Sequence, residues 1–177
     1  MDTLEENNGP FSKAIFSPDK IYRYFLSFKT GIPGKKKIIW IMLNPSTADA
    51  FKMDPTVTRC FNRSKQKQAN EMIILNLFAM RSPYPKDLYK IDDPIGLLND
   101  EIIVSSLQGK DTTLICAWGS HILARERSQQ LLMRNKHVSK YCSTHFVYCL
   151  GHTKEGAPVH PLHISYDQDL ILFDFNK

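Results

Sequence analysis

Residues 37–50 read KIIWIMLNPSTADA, and the fold turns on how the two halves of that stretch are read. Ile38 to Leu43 is an unbroken apolar run with β-branched members, the pattern of a strand buried on both faces. From Asn44 the chain becomes small and polar: Asn44, Pro45, Ser46, Thr47, Ala48, Asp49. Proline lacks the N–H that a ladder needs, so the strand ends there. In open α/β sheets ligands bind just beyond the carboxyl ends of such strands. Asn44 to Asp49 is therefore the first place to look for chemistry.

Working outward, three more apolar runs repeat the pattern: MIILNLF (72–78), TTLICA (112–117) and FVYCL (146–150). Between them lie helical stretches. Asp54-Pro55 marks a helix start, with Asp as N-cap and Pro at the first position, and the helix is expected to run to about Ala69. Val57, Cys60, Phe61 and Ser64 share one of its faces, with Arg59, Arg63, Lys65 and Lys67 largely elsewhere. Asp92-Asp93-Pro94 opens a second helix, expected to reach about Leu107 and stop at Gly109. A third is expected from about His121 to Asn135. Lys86 to Tyr89 suits a helical turn, IYRYFLSF (21–28) a strand or hairpin arm, and 169–175 a short closing strand. Strands alternating with helices predict one α/β domain over residues 1–177: a three-layer α/β/α sandwich around a mainly parallel sheet, with residues 1–10 a loose lead-in.

The chain has 177 residues, enough for one domain with a real core, and is 42% hydrophobic. Its formal charge of +5 favours a polyanionic partner, although an ordinary lysine-rich surface gives the same number. No apolar stretch is long enough to span a membrane, and the acidic, polar N-terminus excludes a secretory signal. A cytoplasmic protein with reduced thiols is expected. Cys149, His152, His160 and His163 have tolerable spacing for zinc, but Cys149 sits in an apolar run where a thiol behaves as a small hydrophobe, so no metal and no cofactor are expected.

Four strands end in polar tails: Asn44-Pro45-Ser46, Asn76, Trp118-Gly119-Ser120, and the loop containing His152 to His163. If the strands are parallel, all four tails lie on one edge, where an α/β fold keeps its active site. Each tail also has a plainer reading. Asn76 can cap a strand end, Trp118 can be core, Gly119 can allow a tight turn, Ser120 can cap the next helix, and His160 can bond loop backbone. The convergence of four is what points to a site.

At these residues the chain resembles a known superfamily. Leu43-Asn44-Pro45, MIILNLFAMRS (72–82), LICAWGSHI (114–122) and His160-Pro161-Leu162 with Ser165 look like the ordered motifs of uracil-DNA glycosylases. Over nearly its full length it also resembles a bacterial and phage family known only as a domain of unknown function (DUF1643), through Asn44 to Asp49, Asp54-Pro55-Thr56, Asn76 to Ala79, Ala117-Trp118-Gly119 and His160-Pro161-Leu162. The first resemblance implies a uracil-DNA glycosylase-like fold and a nucleobase pocket. It implies an N-glycosidic hydrolase acting on DNA or a nucleotide.

In that reading His160 donates to the departing base and Asn44 positions water. Asp49 is a substitute carboxylate, because an amide cannot take the proton of water. Asn76 reads a pyrimidine edge with both its donor and its acceptor. Pro45, Ser46, Phe78, Trp118, Gly119, Ser120 and His163 bind substrate, Phe51 or Phe61 being alternatives to Phe78 for stacking. Arg81, Lys154 and Ser165 meet phosphates. Leu162 stands where a phosphate-holding serine is expected, and His163 or Ser165 can compensate. A non-catalytic module that recognises nucleic acid or a modified base is the alternative, and a small-molecule hydrolase a third. A monomer or weak homo-oligomer is expected.

Overall fold

Strand β4 (Lys37–Met42) lies near the middle of the sheet because both of its faces are apolar: every residue from Ile38 to Met42 is at most 5% exposed. In this computed structural model, which describes residues 2–108 and 111–173, it pairs in parallel with β5 (Glu71–Asn76) on one side and β6 (Thr112–Cys116) on the other. Beyond β6 comes β7 (Val147–Cys149), also parallel. These four strands are the apolar runs of the sequence, and their carboxyl ends share one edge.

The flanks overturn the expectation of a mainly parallel, uracil-DNA glycosylase-like three-layer sandwich. The sheet is mixed and eight-stranded, in the order β1-β2-β3-β5-β4-β6-β7-β8, with β1 (Leu4–Asn8), β2 (Ser12–Phe16), β3 (Arg23–Lys29) and β8 (Ile171–Leu172). Four of its pairings are antiparallel: β1 with β2, β2 with β3, β3 with β5, and β7 with β8. The physical reason is that residues 4–29 supply three antiparallel strands, the first of them, Leu4–Asn8, within the expected lead-in. β1, LEENN, carries no hydrophobic alternation, since only Glu6 in it is even half-buried. It is held by its ladder to β2 and by the ion pairs Glu5–Lys13 and Glu6–Lys20. A strand that buries almost nothing leaves no periodic signal. The closing strand is limited to Ile171–Leu172, and the expected residues 174–175 lie outside the described ones.

The two sheet faces are covered unequally. Ile39 and Ile41 face a core with Ile73, Leu75 and Leu114, closed by α2 (Asn99–Ser106), α3 (Ile122–Gln129) and α4 (Lys136–Thr144). Ile38, Trp40 and Met42 face a second core shared with Phe16, Leu26 and Phe28 of the antiparallel strands, closed by α1 (Pro55–Gln66). α2 begins later than expected, because residues 92–98 form turns around the Asp93 carboxylate; the expected stop at Gly109 lies outside the described residues. The expected single helix from 121 to 135 is α3 followed by a π-turn, Gln130–Arg134. Asn135 then caps α4, accepting from His137 and Val138 N–H groups. Among the described residues no helix is long and apolar enough to cross a membrane.

Candidate functional site

The carboxyl ends of β4, β5 and β6, together with the chain after β7, surround a cavity of about 390 Å³. Asn44, Ser46, Asn76, Trp118-Gly119-Ser120 and His160 all line it, so the four polar tails do meet. The volume lies within the range of small-molecule sites. Gly119 lets two tails approach. Its φ is +75°, its N–H donates to Pro158 O at 2.9 Å, and a Cβ there would stand 3.5 Å from the His160 Cβ.

Each polar side chain is oriented by the protein through only part of its hydrogen-bonding capacity. Asn44 donates from Nδ2 to Ser82 O at 2.9 Å and to Pro45 O at 3.2 Å. Its Oδ1 makes no hydrogen bond among the described residues, so Asn44 presents an acceptor. Asn76, 2% exposed, does the reverse: its Oδ1 accepts from Arg23 Nη2 at 3.3 Å. A guanidinium has no acceptor, so the amide atom facing Arg23 must be oxygen. The Asn76 amide nitrogen makes no hydrogen bond among the described residues and is left as a donor. Of the donor and acceptor expected of Asn76, the oxygen is thus partly committed to Arg23, and the amide nitrogen is the atom without a protein partner among the described residues.

The third group is Asp54, the N-cap of α1. Its Oδ1 accepts from Val57 N at 2.8 Å, while Oδ2 has no partner among the described residues, and the side chain lines the cavity. The fourth is His160, whose Nδ1 accepts from Leu162 N at 3.3 Å as the cap of a short 3₁₀ turn, Pro161–His163. An accepting Nδ1 places the proton on Nε2 in the neutral ring. Burial is the main cause that lowers the His160 pKa; the charge of His163 adds to it and Asp54 opposes it. The neutral ring is thus favoured at neutral pH, with Nε2–H as its donor.

Arg23 underlies this set and was not expected from the sequence. It is 2% exposed and lines the cavity, and its Nη1 donates to Ala48 O at 2.9 Å. Burial lowers its pKa to about 10, with Asp54 and Asp49 raising it and Arg81 lowering it, so it stays cationic at neutral pH. The backbone at Asn76 is braced from the other side. Asn99 Nδ2 donates to the carbonyls of Asn76 (3.0 Å) and Leu77 (3.2 Å), and Arg127 Nε donates to Leu77 O at 3.0 Å while its guanidinium pairs with Asp100.

Several expected residues lie elsewhere. Asp49 does not line the cavity. Its Oδ1 accepts from Phe51 and Lys52 N–H groups at 2.8 and 2.9 Å, fixing a turn, and the carboxylate at the site is Asp54 instead. Phe78 is 4% exposed in the core between sheet and helices; Phe61 packs edge-on against Phe28, and Phe51 is 64% exposed. Trp118 is the aromatic on the cavity wall. Pro45 is buried and enters through its carbonyl, which accepts from Asn44 and Ser82. Arg81 lies over the Phe16 ring at 4.9 Å and donates to Lys20 O. His163, Lys154 and Ser165 are exposed and off the cavity, and the Ser165 hydroxyl bonds Asp167. Ser120 lines the cavity, its hydroxyl is hydrogen-bonded with the Thr153 hydroxyl and the Glu155 carboxylate, and it leaves the N-cap position of α3 to His121. The spacing that suggested zinc is not assembled as a site: Cys149 is buried, 3.9 Å from His152 Nε2, and among the described residues no three His, Cys, Asp or Glu side chains gather as metal ligands.

α1 connects the halves of the site. Asp54 at its start faces the cavity. One and two turns further on, Arg59 donates to the carbonyls of Pro161 and Ile164, and Arg63 to those of Ile164, Ser165 and Gln168. Both guanidinium groups lie over the Tyr166 ring, at 4.4 and 5.4 Å. The basic face of this helix therefore fastens the segment that carries His160.

Against known proteins, the family described as "Protein of unknown function (DUF1643)" matches residues 23–162, a span that begins at Arg23 and includes Asn44, Asp54, Asn76 and His160. No curated protein and no solved structure matches.

Proposed function

Since the chain belongs to the DUF1643 family, its activity has to be argued from the cavity, and we propose that it binds a nucleobase there and hydrolyses the N-glycosidic bond of that base in DNA or a nucleotide. One observation carries the reading. Two donors, Asn76 Nδ2 and His160 Nε2, and two acceptors, Asn44 Oδ1 and an Asp54 oxygen, are each pinned by the protein through another atom and left to one cavity. Such preorganised donors act where charge develops in a transition state, without reorganisation at the moment of reaction.

The chemistry matches that set. When the bond between the base nitrogen and the sugar carbon breaks, its electron pair leaves with the base, and the sugar carbon becomes cationic. Asn76 and His160 donate to the base oxygens, where that negative charge collects. Arg23, cationic behind Asn76, makes its amide a stronger donor through the bond at Oδ1. A water accepted on the other side forms the new carbon–oxygen bond. Asn44 takes one of its hydrogens in a hydrogen bond, and Asp54 takes the proton, which then passes to the departed base. Trp118 supplies a flat apolar wall for the ring. A second reading has its own support: Asn44 is an amide and Asp54 is partly committed as a helix cap, a combination that suits recognition without cleavage.

The test is incubation with nucleotides and with single- and double-stranded oligonucleotides carrying uracil, mismatched and modified bases, followed by assay for abasic sites and free base. Release that is lost in Asp54→Asn, which keeps the cap, and in His160→Ala supports the hydrolase. Binding without release establishes the recognition module. Neither binding nor release at low salt overturns both.

A further inference from the structure

Tyr84 is 61% exposed, yet it is carried by a braced loop at the mouth of the cavity. Pro83 and Pro85 on either side of it both line the cavity, and each fixes its own φ. The Tyr84 N–H donates to Ser82 Oγ at 3.0 Å, its carbonyl accepts from Asp87 N at 2.9 Å, and the Ser82 hydroxyl bonds the Asp87 carboxylate. The Lys86 ammonium lies 5.8 Å from the ring centroid. Phe51, 64% exposed, repeats the arrangement. It stands in the loop between Ser46 and Asp54, both on the cavity wall. That loop is fixed by the Asp49 carboxylate on the Phe51 and Lys52 N–H groups and by Asp49 N on Lys52 O at 3.0 Å. Lys52, the next residue in the chain, is exposed.

A single exposed aromatic means little. Here two are held by loops with their own internal hydrogen bonds, each next to a lysine, on loops that border one cavity. We propose that Phe51 and Tyr84 stack the bases on either side of the nucleotide in the cavity, with Lys52 and Lys86 meeting the adjoining phosphates, so that the ligand is a single-stranded polynucleotide segment and not a free nucleotide. The proposal rests on the nucleobase reading of the cavity. Aromatic platforms alternating with cations are how single strands are held without regard to sequence, because every base has a stacking face and every linkage a charge. The net charge of +5 favours the same partner. The Asp49 turn, which takes no part in the cavity itself, gains a role in this arrangement: it fixes the backbone that presents Phe51.

The experiment compares mononucleotides with the matching homotrinucleotides of each base, in deoxyribose and ribose series, by titration calorimetry at low salt. The trinucleotide of the best-bound base is expected to bind at least about tenfold more tightly than its mononucleotide. That gain should shrink as salt rises, and Tyr84→Ala and Phe51→Ala should each remove most of it. Phe146→Ala is the control, because Phe146 is 72% exposed but precedes β7, at the opposite edge of the sheet; it should keep the full gain. A gain in either sugar series supports the strand and identifies it. Mononucleotides that bind as well as trinucleotides overturn the strand proposal while leaving the nucleobase reading in place. A gain that survives both substitutions overturns it equally. If neither length binds, both readings fall.

Discussion

At Asn76 one amide is shared between protein and cavity: Arg23 bonds the oxygen, and the nitrogen is left to the cavity. Asn76→Asp isolates the second half. The variant keeps an acceptor for Arg23 and turns a hydrogen bond into an ion pair, but it replaces the cavity donor by an acceptor. Base affinity should fall by about 1–3 kcal/mol, while the thermal midpoint is unchanged or higher. Calorimetry and a melt of the same sample check both. An affinity that survives would remove Asn76 from the site. His160 supports a prediction of opposite character. Its pKa in the folded protein lies below the ordinary histidine value of 6.5, chiefly because the ring is buried. The unfolded chain therefore takes up the proton first, so stability present above 6.5 is lost as pH falls from there through the folded value. Protonation also puts a hydrogen on Nδ1, where it faces the Leu162 N–H, and the 3₁₀ cap is lost. A nitrogen-resolved NMR titration should show Nε2–H and bare Nδ1 at neutral pH, and a midpoint below 6.5. Asn44 and His160 were legible in the sequence as strand-end polar residues. Asp54 was legible only as a cap, and that explanation hid its second oxygen, while Asp49 looked free and is not.

Helix α1 is amphipathic in a way that a sequence reads correctly on one face and not on the other. Val57, Cys60 and Ser64 are buried as the periodicity demands, and the Ser64 hydroxyl accepts the Trp40 indole N–H at 3.0 Å. The other face carries Arg59 and Arg63, and periodicity assigns such residues to solvent or to a phosphate. Instead the chain after His160 returns across them. Five donated hydrogen bonds run from the two guanidiniums to main-chain carbonyls, and Arg63 is 5% exposed. No pattern in residues 55–66 announces this, because the partners are backbone atoms a hundred positions away. Arg63→Met keeps the aliphatic stem and removes the donors. It should cost about 1–3 kcal/mol of stability and raise hydrogen exchange across 160–168 before the sheet strands respond. Turnover or base affinity should fall as well, although Arg63 does not line the cavity, because His160 loses its mounting. Exchange that rises uniformly over the chain would mean that the helix stabilises the fold without positioning the site.

At the scale of the molecule, the misread topology and the missed arginine are one error. In a parallel sheet only carboxyl ends of strands reach the site edge, so a search of strand ends finds Asn44, Asn76 and Trp118 and never looks at a strand's first residue. β3 runs antiparallel to β5 and therefore delivers its amino end, Arg23, beside Asn76 at the end of β5. The four apolar strands were visible because burial on both faces leaves a continuous hydrophobic run. β1 was not, because it buries almost nothing, and that difference predicts which parts the fold needs. A chain lacking residues 2–9 loses a polar edge strand and two ion pairs at the surface, one exposed and one on the half-buried Glu6, which contribute little. Its thermal midpoint should stay within about 4 °C of the parent, roughly 1 kcal/mol, and base affinity should not change. A chain that begins at Thr30 loses Phe16, Leu26 and Phe28 from the second core, opens β5 to solvent along one edge, and takes Arg23 from the site. It should show no cooperative melt by circular dichroism. A shorter chain that still melted cooperatively and held its base would mean that the parallel strands form the cavity alone, and that the antiparallel flank is not what completes it.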